Sequence, residues 1–131
     1  MIGKAIKESS IERHKFILTT RVTNRTQYDG NIKDAVYRSI ERYGTDYIDL
    51  LMFHWPVTGK FVETWKQMIE LRNEGVCKCL GVSNCHQHHI DLLLFETGET
   101  PSINQIEIHP LFNQKTLIEY SRQKGIICEA Y

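Results

Sequence analysis

The sequence predicts an α/β fold built on a parallel sheet, and three observations carry that reading. Runs rich in β-branched and aromatic residues alternate with segments whose apolar residues recur at helical spacing. No shift of composition interrupts the alternation over the 131 residues, so one domain, 1–131, is expected. Each predicted strand also runs into polar residues at its C-terminal end. Strands alternating with helices imply parallel pairing through right-handed crossovers.

Taken in order, GKAIKES (Gly3 to Ser9) reads as the tail of a helix whose own strand is absent. FILTTRV (Phe16 to Val22) reads as a strand, and the turn-rich TNRTQYDGN after it as a loop. Ile32, Ala35, Val36, Ser39, Ile40 and Tyr43 then mark a helix, with Asn31 placed to cap its start and Gly44 to end it. YIDLLMFH (Tyr47 to His54) is the second strand. Val62, Trp65, Met68 and Ile69 share one face of the helix after it, which stops near Gly75. VCKCLGVSN (Val76 to Asn84) is the third strand, followed by a helix carrying Ile90, Leu93 and Leu94. SINQIEIH (Ser102 to His109) is the fourth, followed by a helix with Leu117, Ile118 and Ser121 that closes at Gly125. GIICEAY (Gly125 to Tyr131) begins a fifth strand.

Two architectures accommodate this order. One is an open doubly wound sheet of flavodoxin type with a ligand at its switch point. The other is part of an eight-stranded (β/α) barrel, which typically needs about 250 residues, so this chain would supply about half of one. The pattern alone does not choose.

Composition narrows the function classes. Sixteen basic and sixteen acidic side chains give no net field for nucleic acid or an anionic membrane, and neither is an expected partner. The longest apolar run, Ile48 to Phe53, is far short of the roughly 20 residues of a spanning helix. The N-terminus lacks the apolar centre of a secretory signal, so a cytoplasmic setting is expected. Cys77, Cys79, Cys85 and Cys128 together with His86, His88 and His89 lack the ligand spacing of a zinc site, and no metal is expected.

Both architectures gather ligands at the C-terminal ends of parallel strands. Those ends carry Arg21, His54 and Trp55, Ser83 and Asn84, Gln105, and Tyr131. Hydroxyl and amide groups such as Ser83, Asn84 and Gln105 can bond a carboxamide, which offers donors and an acceptor. Tyr131 can stack on a flat ring. A histidine beside a tryptophan supplies a neutral donor for a carbonyl oxygen and an apolar wall for the rest of a substrate. That set suits nicotinamide-dependent hydride transfer to an aldehyde or ketone. There is no G-x-G-x-x-G and no P-loop, so a dinucleotide would not be held in the Rossmann manner.

FILTTRV, GTDYIDLLMFHWP, TWKQMIELRNEG, CLGVSN, NQIEIHPLFNQ, LIEY and GIICEAY follow one another in the order and spacing of the aldo-keto reductases, which the chain resembles over nearly its whole length. The resemblance implies an incomplete TIM-type barrel of about five of its eight strands, NADP(H) as cofactor, and reversible reduction of carbonyl compounds to alcohols. It implies that His54 orients the substrate carbonyl, that Trp55 lines the substrate pocket, and that Ser83, Asn84 and Gln105 hold the carboxamide while Tyr131 stacks on the nicotinamide. Arg21 falls where the family has its catalytic lysine. Arginine is larger, planar and differently hydrated, so the exchange is not conservative. Cys85 stands where the family commonly has phenylalanine. By family order the chain runs from the helix after the second strand to the seventh strand, so the family's aspartate, tyrosine acid and 2′-phosphate ligands are expected to lie outside it. Tyr28, Tyr37, Tyr43 and Tyr47 are expected to be loop, helix or core residues rather than replacements.

The expected function is therefore that of an NADPH-dependent oxidoreductase acting on a small carbonyl or alcohol, with this chain alone inactive. The alternative is a non-catalytic remnant acting as a self-associating or interaction module, because an open sheet leaves unpaired edges.

Overall fold

The computed structural model describes residues 2–131. Helix α1 (Ile2–Glu8) precedes a single 3-10 turn at Arg13–Lys15, and the chain then enters β1 (Thr19–Val22). The rest alternates: α2 (Asn24–Asp29), α3 (Ile32–Tyr43), β2 (Ile48–Phe53), α4 (Phe61–Asn73), β3 (Cys77–Ser83), α5 (Gln87–Thr97), β4 (Ile103–Ile106), α6 (Lys115–Gln123) and β5 (Ile127–Ala130).

The five strands pair in parallel in the order β1-β2-β3-β4-β5. A flavodoxin-type sheet would need the order to reverse at a switch point. With consecutive order, right-handed crossovers put every helix on one side of the sheet. The helices accordingly neighbour one another in sequence, α3 beside α4, α4 beside α5 and α5 beside α6. This is the arc of a (β/α) barrel.

Curvature is visible in a side-chain contact. Strands β1 and β4 are three strand spacings apart, about 14 Å along a flat sheet, yet the Arg21 guanidinium on β1 donates to Gln105 Oε1 on β4. The two meet because the sheet curls toward its uncovered side. Gly81, in the middle of β3, helps make room there. A Cβ on it would stand 2.8 Å from Met52 Cγ and 3.2 Å from the Ile103 carbonyl oxygen.

The outer face of the sheet carries the core. Val22, Leu51, Phe53, Leu80 and Val82 pack against Ile32, Val36, Phe61, Trp65, Met68, Leu71, Ile90 and Leu93 from α3, α4 and α5. Burying each such side chain contributes roughly 1.5–3 kcal/mol. At the opposite end from the site, Asp49 accepts from Arg13 (2.8 Å), Lys78 (3.0 Å) and the Leu18 amide (3.0 Å), while Arg13 and Lys78 flank the Tyr47 ring. Burial opposes the Asp49 charge, but these three donors outweigh it and hold the carboxyl below its ordinary pKa. This junction ties the strand starts together.

Several boundaries differ from the sequence expectation. The segment expected as loop contains α2, whose start is capped by Thr23 Oγ1 accepting from the Thr26 amide. Asn31 makes no side-chain cap hydrogen bond to α3, although Gly44 does close that helix at φ 66°. Strand β1 begins at Thr19 rather than Phe16, and β4 ends at Ile106, beyond which His109 pairs with Phe112 instead of with a strand.

Candidate active site

The C-terminal strand ends meet in one cleft of about 380 Å³, lined by Arg21, His54, Trp55, Ser83, Asn84, Gln105 and Tyr131. All the side chains expected at the site come together there, although 110 positions separate the first from the last.

Local backbone geometry explains how they converge. The His54 amide donates to the Val22 carbonyl (3.0 Å), continuing the ladder one residue past β2 and holding the imidazole at the rim. The next carbonyl, that of Trp55, accepts from the buried Gln27 amide of α2 (2.9 Å). Asn84 has φ 59°, a left-handed conformation that asparagine tolerates better than most residues. Its turn is clamped by Asn104, which donates to the Cys85 carbonyl (2.8 Å) and accepts from the Cys85 amide (3.3 Å). Gln27 and Asn104 are thus positioning residues that sequence reading missed. For Asn104 the available signal was an amide within the apolar alternation of SINQIEIH; Gln27 had none.

The polar groups form a connected network. Ser83 Oγ donates to the Gln105 carbonyl (2.9 Å), and Asn84 Nδ2 donates to the His54 carbonyl (2.9 Å) and to Ser83 Oγ (3.1 Å). Tyr131 donates its hydroxyl to Asn84 Oδ1 (2.6 Å), which brings the end of β5 over the end of β3. The His54 and Trp55 rings stand edge to face, 6.4 Å between centroids. Ser83 is buried, whereas Trp55 and Tyr131 remain 46 % and 55 % exposed, leaving two aromatic faces open to a ligand.

Adjoining the cleft, a pocket of about 140 Å³ shares Trp55, Asn84 and Tyr131 and is walled by Ile106, Phe112 and Leu117. A larger concavity of about 650 Å³ lies between the starts of α5 and α6 and holds none of the strand-end residues. The His86 and His88 rings are stacked 6.1 Å apart with planes 12° from parallel, so their in-plane lone pairs cannot converge on one ion. Among the described residues, no group of three or more His, Cys, Asp or Glu is arranged to hold a metal.

The other tyrosines lie outside the cleft. Tyr28 and Tyr37 are exposed on α2 and α3, the Tyr43 hydroxyl lies 3.4 Å from the Thr19 carbonyl, and Tyr47 sits between Arg13 and Lys78.

A consecutive parallel sheet, curled toward a polar cleft at its C-terminal strand ends, defines the chain as part of a (β/α)-barrel enzyme scaffold. The sequence profile of the Aldo/keto reductase family matches residues 1–131, and the chain belongs to that family. It is 41 % identical over 132 aligned positions to methylglyoxal reductase DkgA of Escherichia coli K12, covering 99 % of this chain and 47 % of that protein. It is 40 % identical to the 9,11-endoperoxide prostaglandin H2 reductase of Trypanosoma cruzi, covering 99 % and 46 %. Among solved structures, the aldo/keto reductase from Brucella melitensis superposes with a TM-score of 0.95 at 40 % identity over 99 % of this chain and 52 % of that one. The Bombyx mori aldo-keto reductase in complex with NADP gives 0.90 at 30 % identity over 99 % and 47 %. The chain spans about half the length of the curated relatives it matches.

Proposed function

We propose that this chain carries the carbonyl-orienting and nicotinamide-holding part of an NADPH-dependent reductase that interconverts aldehydes or ketones with alcohols. The observation that carries the proposal is the single cleft shared by Arg21, His54, Trp55, Ser83, Asn84, Gln105 and Tyr131. The residues fit the nicotinamide end of NADP(H) by the chemistry of the donor set. Ser83, Asn84 and Gln105 offer the hydroxyl and amide groups a carboxamide pairs with, and the Tyr131 ring offers a face for stacking. When bound, NADP(H) supplies the transferable hydride.

The protein's own part is positioning. His54, at the end of β2, donates to the carbonyl oxygen, which polarises the C=O bond and fixes its direction. Trp55 and the apolar wall of Ile106, Phe112 and Leu117 exclude water from the rest of the substrate. Arg21 retains a positive charge where the family has lysine. Residues 1–131 act as one partial barrel domain, and a cytoplasmic setting accords with four free thiols. No described helix is long and apolar enough to cross a membrane.

Titration of the chain with NADPH, followed by nicotinamide fluorescence, tests the reading. Saturable binding that weakens about tenfold or more in Asn84→Ala and Tyr131→Ala is expected. Equal behaviour of the variants and the parent would refute it. Carbonyl-dependent NADPH oxidation by the isolated chain is not expected, because the described tyrosines other than Tyr131 lie outside the cleft. Turnover that is lost in His54→Ala would overturn that expectation while supporting the role of His54.

One observation favours a second reading. Among the described residues β1 pairs only with β2 and β5 only with β4, leaving two open edges. Such edges recruit further strands, so self-association of the isolated chain is the alternative role.

A further inference from the structure

We propose that Arg21 is a positioning residue that acts through Gln105, latching the carboxamide subsite in a closed state. The proposal rests on the nicotinamide reading above. Its basis is an inventory of donors and acceptors in the cleft. Both Asn84 Nδ2 protons are directed to protein acceptors, the His54 carbonyl and Ser83 Oγ. Asn84 Oδ1 accepts from Tyr131, and the Ser83 hydroxyl proton goes to the Gln105 carbonyl. Gln105 Oε1 is the side-chain acceptor of this set that meets a charged donor, the Arg21 guanidinium.

A carboxamide brings an NH2 group that needs an acceptor as well as an oxygen that needs a donor. With Gln105 Oε1 bonded to Arg21, that oxygen faces a cation. An entering NH2 group therefore competes with the guanidinium for that oxygen. A charge-assisted hydrogen bond is stronger than a neutral one, and Gln105 is the side chain that Arg21 bonds, although Glu129 lines the same concavity. Lysine in the same place has a shorter reach and a single compact head, so it holds a distant Gln105 less firmly. Arginine at position 21 therefore sets the affinity for the nicotinamide end and leaves the remainder of the dinucleotide untouched.

Two readouts on the full chain test this. The first is the Gln105 side-chain amide signal in a 15N–1H spectrum, assigned by its loss in Gln105→Ala. Arg21→Met, which keeps an unbranched apolar stem and removes every donor, is expected to shift that signal while leaving distant backbone amides in place. The second is the dissociation constant for NADPH. Arg21→Met is expected to tighten it roughly three- to tenfold. Arg21→Lys should move both readouts in the same direction, which keeps the test available if the methionine variant does not fold. A Gln105 signal unmoved in both variants overturns the latch whatever NADPH does. A shifted signal with unchanged NADPH affinity overturns the gating role. Absence of NADPH binding by parent and variants alike overturns the nicotinamide reading and the gating with it, and the Gln105 signal then reports the contact alone.

Discussion

His89 shows how a single side chain couples the site turn to pH. Its Nδ1 accepts from the His86 amide (3.1 Å), closing a capping box at the start of α5, one turn beyond Asn84 and Cys85. Burial first, then the neighbouring His88 and His86, push its pKa down from 6.5 to about 4. The folded chain therefore keeps this imidazole neutral where the unfolded chain protonates it. Acidification through 6.5 toward 4 binds protons to the unfolded state first, so stability falls across that window and recovers as pH rises. His89→Gln retains an acceptor for the His86 amide without an imidazole to titrate. Its urea midpoint is expected to drop less between neutral pH and pH about 5 than that of the parent. Equal drops in the two proteins would locate the acid sensitivity elsewhere. At this scale the strand-end residues were legible because their types and their places at the ends of apolar runs are local properties. Gln27 and Asn104 were not, since each bonds the backbone of a residue 28 or 19 positions away and nothing near them in the chain marks that partner.

Among the elements, the helices and strands with strong apolar periodicity were the readable ones. Trp65 and Met68, expected on one face of α4, are both fully buried. The miss was α2, six residues whose buried side chain is the polar Gln27, so hydrophobic spacing carried no trace of it. Strand limits were overread where polar alternation continues past the ladder, as in Glu107 to His109 beyond β4. Curvature was also unreadable, because it depends on packing across β2 and β3. There Gly81 lies against Met52, which is 1 % exposed. In Gly81→Ala the new methyl would force the Met52 side chain aside and press on the Ile103 carbonyl oxygen. A loss of about 1–3 kcal/mol is expected from this overpacking. In the Met52→Ala background, which vacates the contact, the same change should cost less. Equilibrium urea unfolding of the four proteins of the double-mutant cycle measures the coupling. Strict additivity would show that the glycine serves some other purpose.

For the whole molecule, consecutive strand order is what separates a barrel arc from a doubly wound sheet, and order is a long-range property that alternation alone leaves open. The same order leaves the outer edges of β1 and β5 open, since each pairs on one side among the described residues. Apolar side chains lie at both, with Ile17 just before β1 at 82 % exposure and Ile127 in β5 at 63 %. An edge that is both unpaired and apolar favours addition of another strand, because main-chain hydrogen bonding and burial act together. The isolated chain is therefore expected to show a weight-average mass that rises with concentration in sedimentation equilibrium. Ile127→Lys adds a charge at one edge, far in sequence from His54 and Asn84, and edge charges oppose such pairing. That variant should remain closer to the 15.3 kDa of a single chain while keeping the parent's circular dichroism. A parent chain that stays at this mass at every concentration would remove the interaction reading and leave the reductase reading standing alone.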